Sequence, residues 1–337
     1  MHFPSEGPSY AVPVYTAADL TVVNGANLGD PISFAAEIDL DDTYELRVGA
    51  RLHSLTLVPG DGHTLTIGAD TRRGTPGALV HFDSCLTLMS GNGQTTEILI
   101  LVEVDGDGHV AQIYALPLAK MTCRTGYSLV GVDTENAHRK FAQVACVSFT
   151  RGTHITLASG AQSRIEELTV GDAVLTRDDG VQQIRWIGHS TVRAVGEFAP
   201  IRIRAGTLHN ENDLLVSPDH RLFIYQRSDA LGAGRHELLV RARHLVNGDS
   251  VVQEDGGFVD YYQLLFDTHQ IIYAEGIAAE TLLVDTRTRA ALPLELAEKL
   301  AQSLPGHANS THLSFEVSEA LLNHPDAAKL LKAASTR

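Results

Sequence analysis

Apolar residues recur through most of this chain in short runs separated by turn-forming residues, a spacing that predicts strands. In the first 145 residues, runs at 32–38, 52–58, 79–89 and 97–105 are divided by Gly, Asp and Asn. The clearest unit is Glu97 to Val104, then Asp105-Gly106-Asp107-Gly108, then Val110 to Leu118. That pattern predicts a hairpin whose turn is built for positive φ. Residues 135–141 read as a short helix that delivers the chain to the stretch Val144-Ala145-Cys146-Val147-Ser148-Phe149-Thr150, which stops at Arg151-Gly152. A strand there carries a thiol and a hydroxyl two residues apart, hence on one face. The text becomes helical only near the end. Leu292, Leu296, Leu300 and Leu304 recur four apart, Pro293 suits a first turn and Pro305-Gly306 stops the pattern, while 326–334 forms a second candidate helix.

An internal repeat organises the middle of the chain. Leu168, Gly171, Asp172, Val174, Asp178 and Gly180 recur at one constant offset as Leu245, Gly248, Asp249, Val251, Asp255 and Gly257. Two copies of a Gly-Asp turn followed by a Val strand imply a duplicated β unit with approximate twofold symmetry. On this reading Asp172 and Asp249 are turn residues rather than catalytic acids.

Composition narrows the function classes. The chain has 337 residues, 44% hydrophobic and 20% charged, which suits two domains and a tail rather than one core. A net charge of -15 argues against nucleic acid or anionic membrane as a partner, since both require basic patches. No run of about 18 apolar residues appears, so no membrane span is expected. Cys85, Cys123 and Cys146 form neither a C-x-x-C pair nor a zinc pattern, and one bridge, Cys85 to Cys123, stays open. Asp105 and Asp107, with Asp61, lack the full ligand spacing of a calcium loop and read as turn residues. No cofactor or metal is expected. The start has no basic n-region and apolar core, so the location is unknown, with cytoplasm as the default and export without an N-terminal signal peptide as the alternative.

Several ordered blocks from about 146 to 290 resemble a Hint (Hedgehog/intein) module of the bacterial, intein-like type. Ser148-Phe149-x-x-Gly152-Thr153 is similar to the family's opening Cys-Phe-x-x-Gly-Thr, with Ser in the Cys position. Gln183-Ile184-Arg185-Trp186-Ile187-Gly188 resembles its Val-x-Trp-Ile-Gly strand, Ser217-Pro218-Asp219-His220 its Thr-x-x-His block, and 264–276 its closing strand and turn. The resemblance implies an all-β fold, a pseudo-twofold β horseshoe with its site at the centre. The expected organisation is a β-rich, sandwich-like domain over 1–145, a Hint-like module over 146–290 and a helical tail over 291–337, whose apolar faces dock on the β body or pair two chains in a homo-oligomer.

The chemistry follows from the family. A Ser or Cys side chain can attack the peptide bond before it, converting an amide to an ester or thioester, provided an acid serves the departing amine. The resemblance gives that acid role to His220 and gives Ser217 the task of holding the amide. Alignment favours Ser148 as nucleophile, cutting Val147-Ser148; intrinsic reactivity favours Cys146. His269 is a candidate for a later step, with Asp267 placed to orient it. Glu280 stands where splicing needs a terminal Asn. The expected activity is therefore self-cleavage without splicing, with the N-terminal segment as substrate and water, an amine or a thiol as external nucleophile. The rival reading is a non-catalytic binding or assembly protein on an inert Hint scaffold.

Overall fold

The computed structural model describes residues 10–59, 65–229, 231–284, 288, 292, 315–317, 319–322 and 327–335. The helix expected over 293–304, and Asp61, lie outside the described residues. The chain divides into two compact units, Met1–Phe141 and Ala142–Arg337.

The first unit is β-rich, as its short apolar runs between turn residues predict. Among the described residues nine strands form a sheet that closes on itself: Leu79–Ser90, Leu65–Ile67, His53–Pro59, Tyr10–Thr16, Val110–Pro117 and Thr95–Val104 make a ring in that order, sealed by the pairing of the last with the first. Gly126–Asp133, Thr43–Leu46 and Leu20–Asn24 extend the sheet outward from Leu79–Ser90. Closure removes exposed edges from the ring. The 97–118 hairpin is present, its turn held by Asp105, whose Oδ1 accepts from the backbone N–H of Asp107 and of His109, both at 2.9 Å. Gly108 takes the positive φ, +84°. The run at 32–38 is a loop with a 3-10 turn at Ala35–Glu37 rather than a strand, because the Ala35 N–H is bound by the Asp83 carboxylate at 2.7 Å and not by a neighbouring strand. Cys85 and Cys123 are both free thiols. Burial pushes the Cys85 thiol up to about 12.

The second unit carries the repeat as architecture. One sheet, read from either edge, gives an outer strand (Gln162–Arg164 or Glu237–Arg241), an inner strand (His154–Thr156 or Arg221–Tyr225) and a shared central hairpin, Ile271–Ala274 with Ile277–Glu280. Each outer strand runs into a 3-10 turn, Ile165–Glu167 or Ala242–Leu245, and then into a short strand, Ala173–Leu175 or Val251–Gln253. The repeated glycines serve the same backbone need in both copies: Gly171 and Gly248 have φ of +99° and +75°. Asp172 caps its turn by accepting from the Thr169 N–H at 2.7 Å. In the second copy Asn247 does this work, accepting from Asp249 and Val251 N–H at 3.0 Å each.

The second sheet runs Trp186–Arg193, Phe258–Leu265, Phe149–Thr150, Leu214–Val216, Ile201–Ile203, Val251–Gln253. Its inward faces, with those of the first, bury one core that includes Phe149, Val216, Ile201, Leu222 and Ile272. The tail joins that core. Leu331 on the helix Ala327–Ser335 is fully buried in it, beside Ala327 and Ala328, and Val317 N–H bonds Leu239 O at 3.0 Å. Leu331→Ala should therefore cost about 2–5 kcal/mol, read as a drop in the denaturant midpoint; a change within a few tenths of a kcal/mol would show that the helix does not pack there.

Candidate active site

The site begins with a correction to the expected strand. The helix runs over Ala137–Ala145, and the strand starts only at Phe149. Cys146 N–H is taken by the helix carbonyl of Ala142 at 3.1 Å, a helical rather than a strand bond. Cys146 and Ser148 consequently do not share a strand face. The thiol instead belongs to an apolar cluster with Leu265, Leu282 and Leu292.

Strand pairing then builds the site. Phe149 is opposite Val216 in an antiparallel pair, which sets Ser148, one residue before, against Ser217, one residue after. The two serines exchange bonds: Ser148 N–H donates to Ser217 Oγ at 3.0 Å, and Ser217 N–H donates to Ser148 O at 2.9 Å. Ser148 Oγ donates to Cys146 O at 3.3 Å and accepts from Gln263 Nε2 at 2.7 Å. All of these groups are buried or nearly so.

His220 follows in the turn that Ser217 opens, its N–H donating to Ser217 O at 3.0 Å. Its ring lies edge-on to Phe149 at 4.4 Å. Nδ1 is 3.1 Å from Ser148 O and Nε2 is 3.0 Å from Glu280 O. A neutral imidazole donates through only one nitrogen, so this one holds a single carbonyl at a time and both only when protonated. Complete burial pushes its pKa down, against the opposing pull of the Glu280 carboxylate. The imidazole thus sits one peptide downstream of the Val147-Ser148 amide, whose nitrogen is held by Ser217.

Glu280 closes the floor. Its carboxylate is fully buried and chelates Arg221, with both oxygens 3.1 Å from the guanidinium. His269 Nε2 lies 3.5 Å from it. Burial alone raises the carboxyl pKa, but Arg221, then His269 and His220, outweigh it and hold the group at about 2. Arg221 is also bound by Glu316 from the tail at 3.1 Å, and Glu316 bonds Arg241 at 2.6 Å. His269 is therefore oriented by Glu280 rather than by Asp267, which pairs with Arg185 at 2.6 Å on the surface. The reason is that the strand ends at Leu265 and the chain turns through 267–268, so the expected i to i+2 strand spacing does not exist.

Gln263 was not legible in the sequence. Its place depends on Gly188, directly opposite in the pairing of Trp186–Arg193 with Phe258–Leu265. A Cβ at Gly188 would stand 2.3 Å from Gln263 Oε1 and 2.3 Å from the Trp186 ring. The glycine of the Trp-Ile-Gly block is thus a clearance for the residue that touches the Ser148 hydroxyl. A small pocket beside Ser148, lined among others by Cys146, Ser190, Ser217 and Gln263, has room for about one water molecule.

With this geometry in hand, comparison places the fold. Residues 147–286 match the family model described as Hint domain. The protein is a Hint-domain-containing protein, mostly β, and its match begins at the Val147-Ser148 linkage. The crystal structure of gp41-1 intein is a structural neighbour at 12% identity, covering 40% of this chain and 97% of that chain with a TM-score of 0.25. No curated protein matches the chain. Among the described residues no helix is long and apolar enough to cross a membrane.

The Glu280 ion pair sets an acid limit. A carboxyl depressed in the fold stabilises fully above its unfolded value and loses that contribution as pH falls toward its folded value. From an ordinary 4.5 to about 2, stability should decline through that window. Glu280→Gln should be less stable at neutral pH, with Arg221 left to Glu316 alone, yet flatter between pH 4.5 and 2. Denaturant midpoints measured along that range check it; parallel curves for the two proteins would contradict the assignment.

Proposed function

We propose that the chain processes itself at Val147-Ser148 by an N-to-O acyl shift and then cleaves the resulting ester, releasing residues 1–147 without splicing. On this reading 1–145 is the passenger, 146–290 the processing module and 291–337 a tail that completes it. The supporting observation is that the amide nitrogen of the linkage is held by Ser217 Oγ at 3.0 Å while the hydroxyl of Ser148 is fixed on both sides.

In the shift, Ser148 Oγ bonds the Val147 carbonyl carbon, the carbon–nitrogen bond breaks, and the hydroxyl proton ends on the freed α-amine of Ser148. This reading gives the relay of that proton to Ser217, whose Oγ accepts from the amide nitrogen, and to His220 in the turn that follows. An imidazole kept neutral by burial can accept a proton and return it, and its two carbonyl neighbours would stabilise the transient cation. Ser148 is the better candidate than Cys146, whose thiol is packed among leucines. Splicing is left out because Glu280 has a carboxylate, chelated by Arg221, in place of an amide that could cyclise.

One observation favours the inert scaffold: in this conformation the Ser148 hydroxyl donates to Cys146 O, so its proton faces away from the linkage. The two readings separate by mass spectrometry of the purified full chain, incubated alone and with hydroxylamine. The expected result is a fragment ending at Val147 that Ser148→Ala abolishes, Cys146→Ala leaves intact and Ser217→Ala slows by about tenfold or more. A single unchanged mass of 36.3 kDa under every condition would leave the scaffold.

A further inference from the structure

We infer that Gln263 and the small pocket it lines form the acceptor half of this site, in which water attacks the Ser148 ester and the Gln263 amide stabilises the departing oxygen. The inference rests on the acyl shift proposed above and concerns the step after it.

Three observations carry it. First, Gln263 donates to Ser148 Oγ at 2.7 Å, the shortest of the polar contacts described around that atom. A donor on a hydroxyl oxygen lowers its nucleophilicity, so the bond does little for attack. The same donor suits an oxygen that must leave with negative charge, as oxyanion donors do. Second, the fold protects the contact: Gly188 supplies the clearance, since any Cβ there would drive into the Gln263 side chain. Third, the pocket borders Cys146, Ser148 and Ser217, on both sides of Val147, and admits about one water molecule. Water fits such a space, and a peptide-sized thiol or amine does not.

The step balances simply. Water oxygen bonds the Val147 carbonyl carbon, the bond from that carbon to Ser148 Oγ breaks, one water proton passes to Oγ, and the new carboxylic acid at Val147 ionises into solvent. The products are residues 1–147 with a free carboxylate and a chain beginning at Ser148 with its hydroxyl restored.

The test separates the two steps in the full chain. Release is followed by mass at intervals, and ester present at each time is counted as hydroxamate by adding hydroxylamine only after unfolding in denaturant, where the site no longer assists. Gln263→Met keeps the volume and removes the donor. It should slow release about tenfold or more while the ester fraction stays equal or rises. If that variant does not fold, Gln263→Glu, which keeps the shape and offers no N–H when ionised, carries the same comparison. In oxygen-18 water the released Val147 carboxylate should gain one label, and glutathione should not accelerate release. Release unchanged in the variant, ester and release falling together, or acceleration by glutathione would each overturn the inference while leaving the acyl shift standing. Neither hydroxamate nor fragment from the unsubstituted chain would overturn the acyl shift itself, and this step with it.

Discussion

One antiparallel pair, Phe149 opposite Val216, fixes everything else in the second unit. It is short, yet it lies where the two copies of the repeat meet, and each copy contributes a serine at its end. Because the pair is antiparallel, the last residue before one strand faces the first residue after the other. Ser148 and Ser217 are thereby held through one backbone–backbone bond and one backbone-to-side-chain bond. Phe149 adds the second constraint, since its ring supports His220. A duplicated β unit thus produces an asymmetric site from nearly equivalent positions.

Charge burial supplies the other constraint. Glu280 and Arg221 leave water together, and each would be costly alone. Their bond fixes the end of the central hairpin, whose Glu280 carbonyl meets His220. Glu316 extends the same network to the tail, so the tail is part of the site's framework rather than an appendage. The helix Ala327–Ser335 packs into the same core from the other end of that tail.

Much of this was legible from residue patterns. Gly-Asp turns before Val strands announced the duplication because positive φ and turn capping are local demands that only a few residues meet. The blocks around Ser148, Ser217 and His220 were readable for a related reason, each being a turn next to a short strand. What sequence did not reveal was in part a close local balance and in part long-range. The strand through Cys146 turned out to be a helix end, since Val-Ala-Cys-Val suits either and the carbonyl of Ala142 decides. Asp267 seemed a partner for His269 only because the turn after Leu265 carries no strong breaker. Gln263 had no signal at all: it is one polar residue in a strand, and its meaning comes from Ser148, 115 residues away, and from the space left by Gly188.

The central claim is that the Val147-Ser148 linkage of the folded chain does not stay an amide. The sequence contains three Val-Ser pairs, at 147–148, 216–217 and 317–318. Labelling valine carbonyls with carbon-13 and serine nitrogens with nitrogen-15 gives one directly bonded correlation for each. The account predicts that the Val147-Ser148 correlation fades on incubation while a free serine amine appears and the other two persist as internal controls. Three correlations of constant intensity in the folded protein would contradict it.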